Sequence, residues 1–171
     1  MPAKNHQSIV EEKLKALNLR IPEPIKSSPD VKMPPSWIRV RGNRAFISGH
    51  APQNPDGSIA GPFGKVGSDD VTLQQGYQAA RLATLSILGT LKRELGDLDK
   101  VTAWLMVQGF VNVAPGFTQT TAIINECSEL ILELYGPEVG QHARTAMGVA
   151  TTPFGLPVII AAEVEIDNND I

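Results

Sequence analysis

Residues 142–166 read His-Ala-Arg-Thr-Ala-Met-Gly-Val-Ala-Thr-Thr-Pro-Phe-Gly-Leu-Pro-Val-Ile-Ile-Ala-Ala-Glu-Val-Glu-Ile, and this stretch decides the fold. Two apolar runs, about 143–151 and 157–166, flank a Pro/Gly turn, which predicts two strands. In the second run, Val158-Ile-Ile-Ala-Ala162 is apolar at consecutive positions. That pattern belongs to a strand whose two faces are both out of water. In a chain of 171 residues, self-association is the natural cover for a second sheet face. Arg144 stands at the entry to the first run, a permanent cation whose planar fork suits a carboxylate. No carboxylate follows it until Glu163, so its partner is expected to be a ligand.

Upstream, residues 117–135 repeat apolar side chains at helical spacing, from Ile123 and Ile124 through Cys127, Leu130 and Ile131 to Leu134, with Gly136 at the C-terminal cap. Residues 100–112 are apolar and β-branched, a largely buried strand. The longest helix is expected over 73–95. Thr72-Leu-Gln-Gln75 fits a capping box, the stripe runs through Tyr77, Ala80, Thr84, Ile87 or Leu88, Leu91 and Leu95, and Gly96 ends it. Residues 49–70 form a long loop rich in glycine and proline, of a kind that is often functional. Residues 37–48 form a hairpin about Gly42-Asn43, with Ile38 and Val40 alternating with Arg39 and Arg41. The order β-β-α-β-α-β-β predicts an α+β domain over 37–171, one mixed sheet with two helices on one face. Residues 1–36 form an extension: a short amphipathic helix over 7–18 capped by Ser8, with Ile9 or Val10, Leu14 and Leu17 as its stripe, then a connector holding five prolines.

The composition excludes several function classes. Net charge is −3, so the overall field weighs against a nucleic-acid binder. No run approaches a membrane span, and Met1–Val10 lacks the apolar core of a signal peptide. A single cysteine rules out an internal disulfide and fits a reducing, cytoplasmic setting. His6, His50 and His142 have no Cys or His neighbour at ligand spacing, so no metal and no cofactor is expected. Cys127 falls on the apolar helix stripe and reads as core. There is no Gly-x-Ser-x-Gly elbow, Ser48-Gly49 reads as a turn at a strand end, and Gly61–Gly67 has no Lys-Ser/Thr leading into a helix. His142 and Arg144 are two apart and share a strand face; spacing leaves an interface ion pair and an anion site equally open. Asn125 lies beside the apolar stripe, where an exposed or capping amide is the plainer reading.

Taken together, and in order, Gly42-Asn43, Phe46-Ile-Ser-Gly49 and Pro52, the Gly-rich loop, the Ala-rich helix, Gly96-Asp-Leu-Asp-Lys-Val101, Phe110-Val-Asn112, Asn125, and Arg144 before Gly148-Val-Ala150 and Pro153 resemble the Rid family (YjgF, L-PSP endoribonuclease-like). The resemblance covers roughly 37–166, in a branch with a longer chain. It implies a chorismate-mutase-like fold and a homotrimer built round a barrel of sheets, with clefts at subunit interfaces. It implies that Arg144 grips the carboxylate of a 2-imino or 2-keto acid, and that Ser48 and Asn125 line the cleft. The family's upstream aromatic residue is a tyrosine, and Trp37 stands closest to it. The departure is at Ile159, where deaminase members carry a glutamate that positions or activates water. An isoleucine can do neither, so no residue is assigned as acid or base. Three readings follow: an imine/enamine deaminase (a hydrolase) yielding keto acid and ammonia, a non-catalytic small-carboxylate binder, and, weakest, an endoribonuclease.

Overall fold

A computed structural model describes residues 8–27 and 29–167. Gln7, where the first helix was expected to start, and His6 lie outside them. Hairpin strands β1 (Ile38–Arg41) and β2 (Arg44–His50) open the sheet. Gly42 takes φ 60° between them, the positive φ that a two-residue turn needs at its first central position. Helix α2 (Leu73–Leu95) follows, then β3 (Val101–Asn112), α3 (Thr120–Gly140), β4 (Ala143–Val149) and β5 (Val158–Ile166). The strands lie in the order β1-β2-β5-β3-β4. Only β3 and β4 are parallel, joined by α3 as crossover.

α2 forms where the capping signals place it. The Thr72 hydroxyl accepts from the Gln75 amide at 3.2 Å, the Gln75 side chain accepts from the Thr72 amide at 2.9 Å, and Gly96 closes the helix at φ 76°. Its burial is wider than one stripe: Ala79, Ala83, Leu85 and Ser86 are buried beside Ala80, Thr84, Ile87, Leu88 and Leu91. α3 breaks at Gly136, also at φ 76°, and one further turn follows through Pro137 to Gly140. It begins at Thr120, three residues later than expected. β5 alternates buried and half-buried side chains. Ile160, Ala162, Val164 and Ile166 face the helices, while Ile159, Ala161, Glu163 and Glu165 point to the other face.

α2 and α3 cover one face of the sheet. β3 permits this closeness through Gly109, where an added Cβ would lie 2.4 Å from Ile124 Cδ1 and 2.5 Å from its Cγ1. Both elements are buried there, so Gly109→Ala must push α3 outward. The expected loss is about 1–3 kcal/mol, read from urea unfolding midpoints; an unchanged midpoint would show that α3 is free to slide.

The extension is tied to this core. Helix α1 (Ile9–Ala16) is capped by Ser8 and buries Val10 and Leu14, leaving Ile9 and Leu17 exposed. The Asp99 carboxylate receives its N-terminus, from Ile9 N at 2.7 Å and Val10 N at 3.0 Å. Further on, Pro22 O accepts from Arg93, Glu23 N donates to Pro55 O and Lys26 N to Gly57 O. The connector is therefore a strap laid across α2 and the long loop. That loop is pinned by buried Asn112, whose Nδ2 donates to Gly64 O and whose backbone oxygen accepts from Val66 N. Among the described residues no helix is long and apolar enough to cross a membrane.

Candidate functional site

The guanidinium of Arg144 is held from α3. Its Nη1 donates to Asn125 Oδ1 at 2.8 Å and to Ser128 Oγ at 3.1 Å. Ser128 is three residues from Asn125 and so shares its helix face; that spacing was the available signal for a residue the sequence reading passed over. The His142 ring completes the chain. Nδ1 donates to Gly140 O at 2.7 Å, so Nε2 accepts from the Ser128 hydroxyl at 2.9 Å. Burial, with a smaller push from Arg144, holds His142 below the usual histidine value against the Gly140 hydrogen bond. The pair left open by spacing is thus bound within its own chain. Every partner of Arg144 among the described residues is a neutral oxygen, and none is a carboxylate. It opens on a cleft of about 550 Å³ with Leu132, Pro137 and Gln141.

Trp37, Ser48 and Ile159 meet elsewhere. They line a second cavity of about 600 Å³ with Phe63, Phe154 and the strap. Ser48-Gly49 proves to be a β-bulge inside β2 and not a turn. Ile47 pairs with Ala162 but His50 with Ile160, one residue too many on β2. The extra residue puts Ile47 and His50 on the same, helix-facing side, and leaves Ser48 half-buried with its hydroxyl donating to Ser36 O at 2.8 Å. Glycine is needed here because a Cβ on Gly49 would lie 2.8 Å from Ile159 Cγ2.

His50 locks the bulge. Its Nδ1 donates to Ser48 O at 2.6 Å and its Nε2 accepts from Thr90 Oγ1 at 2.8 Å, while Arg93 donates to the same hydroxyl. Burial, aided by Arg93 and opposed by the Ser48 hydrogen bond, lowers its pKa to about 4. Cys127 is core, its thiol pushed up to about 11 by burial. Among the described residues no cluster of three or more His, Cys, Asp or Glu side chains could hold a metal ion.

The two groups of site residues do not converge within one chain. Arg144 stands opposite Val107, which is buried under the helices, whereas Ile159 points to the open face. β2 and β4 are three strand steps apart, roughly 14 Å. Glu163 shares the open face with Ile159 but is paired with Arg44.

Residues 11–162 match the family model described as "YjgF/chorismate mutase-like, putative endoribonuclease". Protein TCP17 of Trypanosoma cruzi is 39% identical over 127 residues, covering 74% of this chain and 78% of that protein. The Agrobacterium tumefaciens protein Atu1372, of unknown function, superposes with a TM-score of 0.79 at 35% identity, covering 93% of this chain and 94% of that one. A Shewanella oneidensis structure described as a "putative endoribonuclease" gives 0.82 at 26% identity over 93% and 100% of the two chains. With the sheet order, the crossover and the helix pair already in place, these matches make the chain a member of the YjgF/chorismate mutase-like family.

Proposed function

We propose that this protein binds a small 2-imino or 2-keto acid in clefts between subunits of a homotrimer, without efficient turnover. The observation that carries the reading is Arg144: a half-buried guanidinium oriented by Asn125 and Ser128, facing a cleft, with no carboxylate partner among the described residues. A fork held in this way is prepared for a ligand carboxylate. The separation of Arg144 from Ser48, Trp37 and Ile159 supports an interface site, since a second copy laid on the open face can bring one group against the other. That face carries Phe46 and Met147 exposed, apolar surface that association would bury.

Hydrolysis of an imine to keto acid and ammonia would need a group to position or activate water. Ile159 stands beside Ser48, and Glu163 is committed to Arg44. Cleavage of RNA would need an acid and a base, and both histidines in the described chain have their ring nitrogens engaged. The test is ammonia release from freshly generated 2-aminoacrylate alongside calorimetric titration with pyruvate. The intact protein should bind pyruvate and leave the release rate at its uncatalysed value. Ile159→Glu should raise release by about 10²-fold or more. Rapid release by the parent protein, lost in Arg144→Ala, would replace binding with catalysis as the function.

A further inference from the structure

A third cavity, of about 350 Å³, lies between the strap, β1 and the last turns of α2, a volume within the range of small-molecule sites. Thr90, Arg93 and Glu94 reach it from α2, at the spacing that puts three residues on one helix face. His50 and Thr90, both buried, form its floor, and Trp37 is a wall that it shares with the cavity beside Ser48. The Trp37 and His50 rings lie 5.1 Å apart at 58°. His50 is neutral near pH 7 and has both ring nitrogens engaged, so the floor presents no charge.

The charges stand at the rim. Arg93 is fixed there by two neutral oxygens, donating to Pro22 O at 3.0 Å and to Thr90 Oγ1 at 3.3 Å. Gly89 makes the room: a Cβ on it would lie 3.1 Å from Pro22 O and 3.2 Å from Arg93 Nη1. Glu94 is exposed, and among the described residues no hydrogen bond or ion pair engages it. An anion in the last turn of a helix faces the negative end of the macrodipole, so the free chain gains nothing from a carboxylate at this position. Glu23 of the strap is near enough for its charge to act on Arg93. The rim therefore holds more negative than positive charge, and a simple anion matches it poorly.

We propose that this cavity binds a zwitterion, a free α-amino acid with an apolar side chain. Its carboxylate meets the N–H groups of Arg93 not taken by Pro22 and Thr90, its ammonium meets Glu94, and its side chain packs on Trp37 with Ile25 and Ile38. A carboxylate and an ammonium on one carbon match opposite charges carried by adjacent residues of one helix. The site lies on the helix-facing side of the sheet and does not depend on Arg144.

Titration of the intact protein with L-leucine, 4-methylpentanoate and 3-methylbutylamine in low-salt buffer tests it, followed by the NMR signal of the Trp37 indole N–H. Leucine should bind more tightly than either single-charge analogue by about fivefold or more, the worth of one exposed ion pair. Glu94→Gln, an exposed position with no partner to lose, should bring leucine down to the level of 4-methylpentanoate. Arg93→Gln should bring it down to the level of 3-methylbutylamine. Arg144→Ala should leave leucine affinity unchanged. Loss of leucine binding in Arg144→Ala would overturn the proposal, because the amino acid would then occupy the other cleft. Leucine binding no tighter than that of the analogues, or unchanged in both Glu94→Gln and Arg93→Gln, would overturn it as well, since the rim charges would not be read. Absence of leucine binding would remove this site and leave pyruvate binding at Arg144 untouched.

Discussion

Arg144→Ala is expected to weaken pyruvate binding by about 10²- to 10³-fold, the loss that follows when a charged partner of a desolvated carboxylate is removed. The folded protein should change little, because Arg144 is only half-buried and its hydrogen bonds to Asn125 and Ser128 lie at the sheet edge. Arg144→Lys separates charge from geometry. A lysine keeps the charge but not the two parallel donors, so it should recover part of the affinity and remain about tenfold weaker than the parent. Calorimetric titration reads both variants, with thermal melts as the check on folding. Parent-like pyruvate affinity in Arg144→Ala would end the carboxylate-site reading.

The second large effect is a loss of stability in acid that originates at His50. The ring is neutral in the folded chain, with a pKa of about 4 against 6.5 when unfolded. Between those values the unfolded chain binds one more proton than the folded one, so stability rises with pH across the window. The contribution is complete above about pH 6.5 and is lost as pH falls towards 4, by about 3 kcal/mol. The side chain is 3% exposed, so solvent screening reduces this little. Urea unfolding at several pH values from 4 to 7 should give a steeper profile for the parent than for His50→Gln, which has nothing to titrate there. Parallel profiles would show that the site takes up a proton without cost. Because His50 donates to Ser48 O and accepts from Thr90, its protonation also sets two donors against each other at the bulge that presents Ser48.

Much of the architecture was legible because local signals and global packing agree. The capping box at Thr72, the terminators Gly96 and Gly136, the hairpin at Gly42-Asn43 and the helical spacing from Ile123 to Leu134 each act through the nearest few residues. The bulge at Ser48-Gly49 was not legible. Its cause is the demand that Ile47 and His50 both face α2, and α2 lies distant in sequence. Ser128 was missed for a similar reason: a serine beside an apolar stripe is ordinary until Arg144 is found across from it. The strap looked like a bare connector because prolines suppress regular hydrogen bonding. Its anchors, at Pro55, Gly57 and Arg93, are all long-range.

The sequence by itself determined the element order and the α+β class, and it put an isoleucine at position 159. These depend on periodicity, capping and residue type, which are local properties. Only the tertiary structure decided how the chemistry is distributed. It set Arg144 on the helix-covered face against Asn125 of α3, Ile159 on the open face and Trp37 against the helix-facing His50, and it made the Pro-rich segment part of a cavity wall. Strand order and side-chain direction come from long-range pairing and from a one-residue shift in register. Such a shift reverses the face of every residue beyond it while leaving the local pattern unchanged.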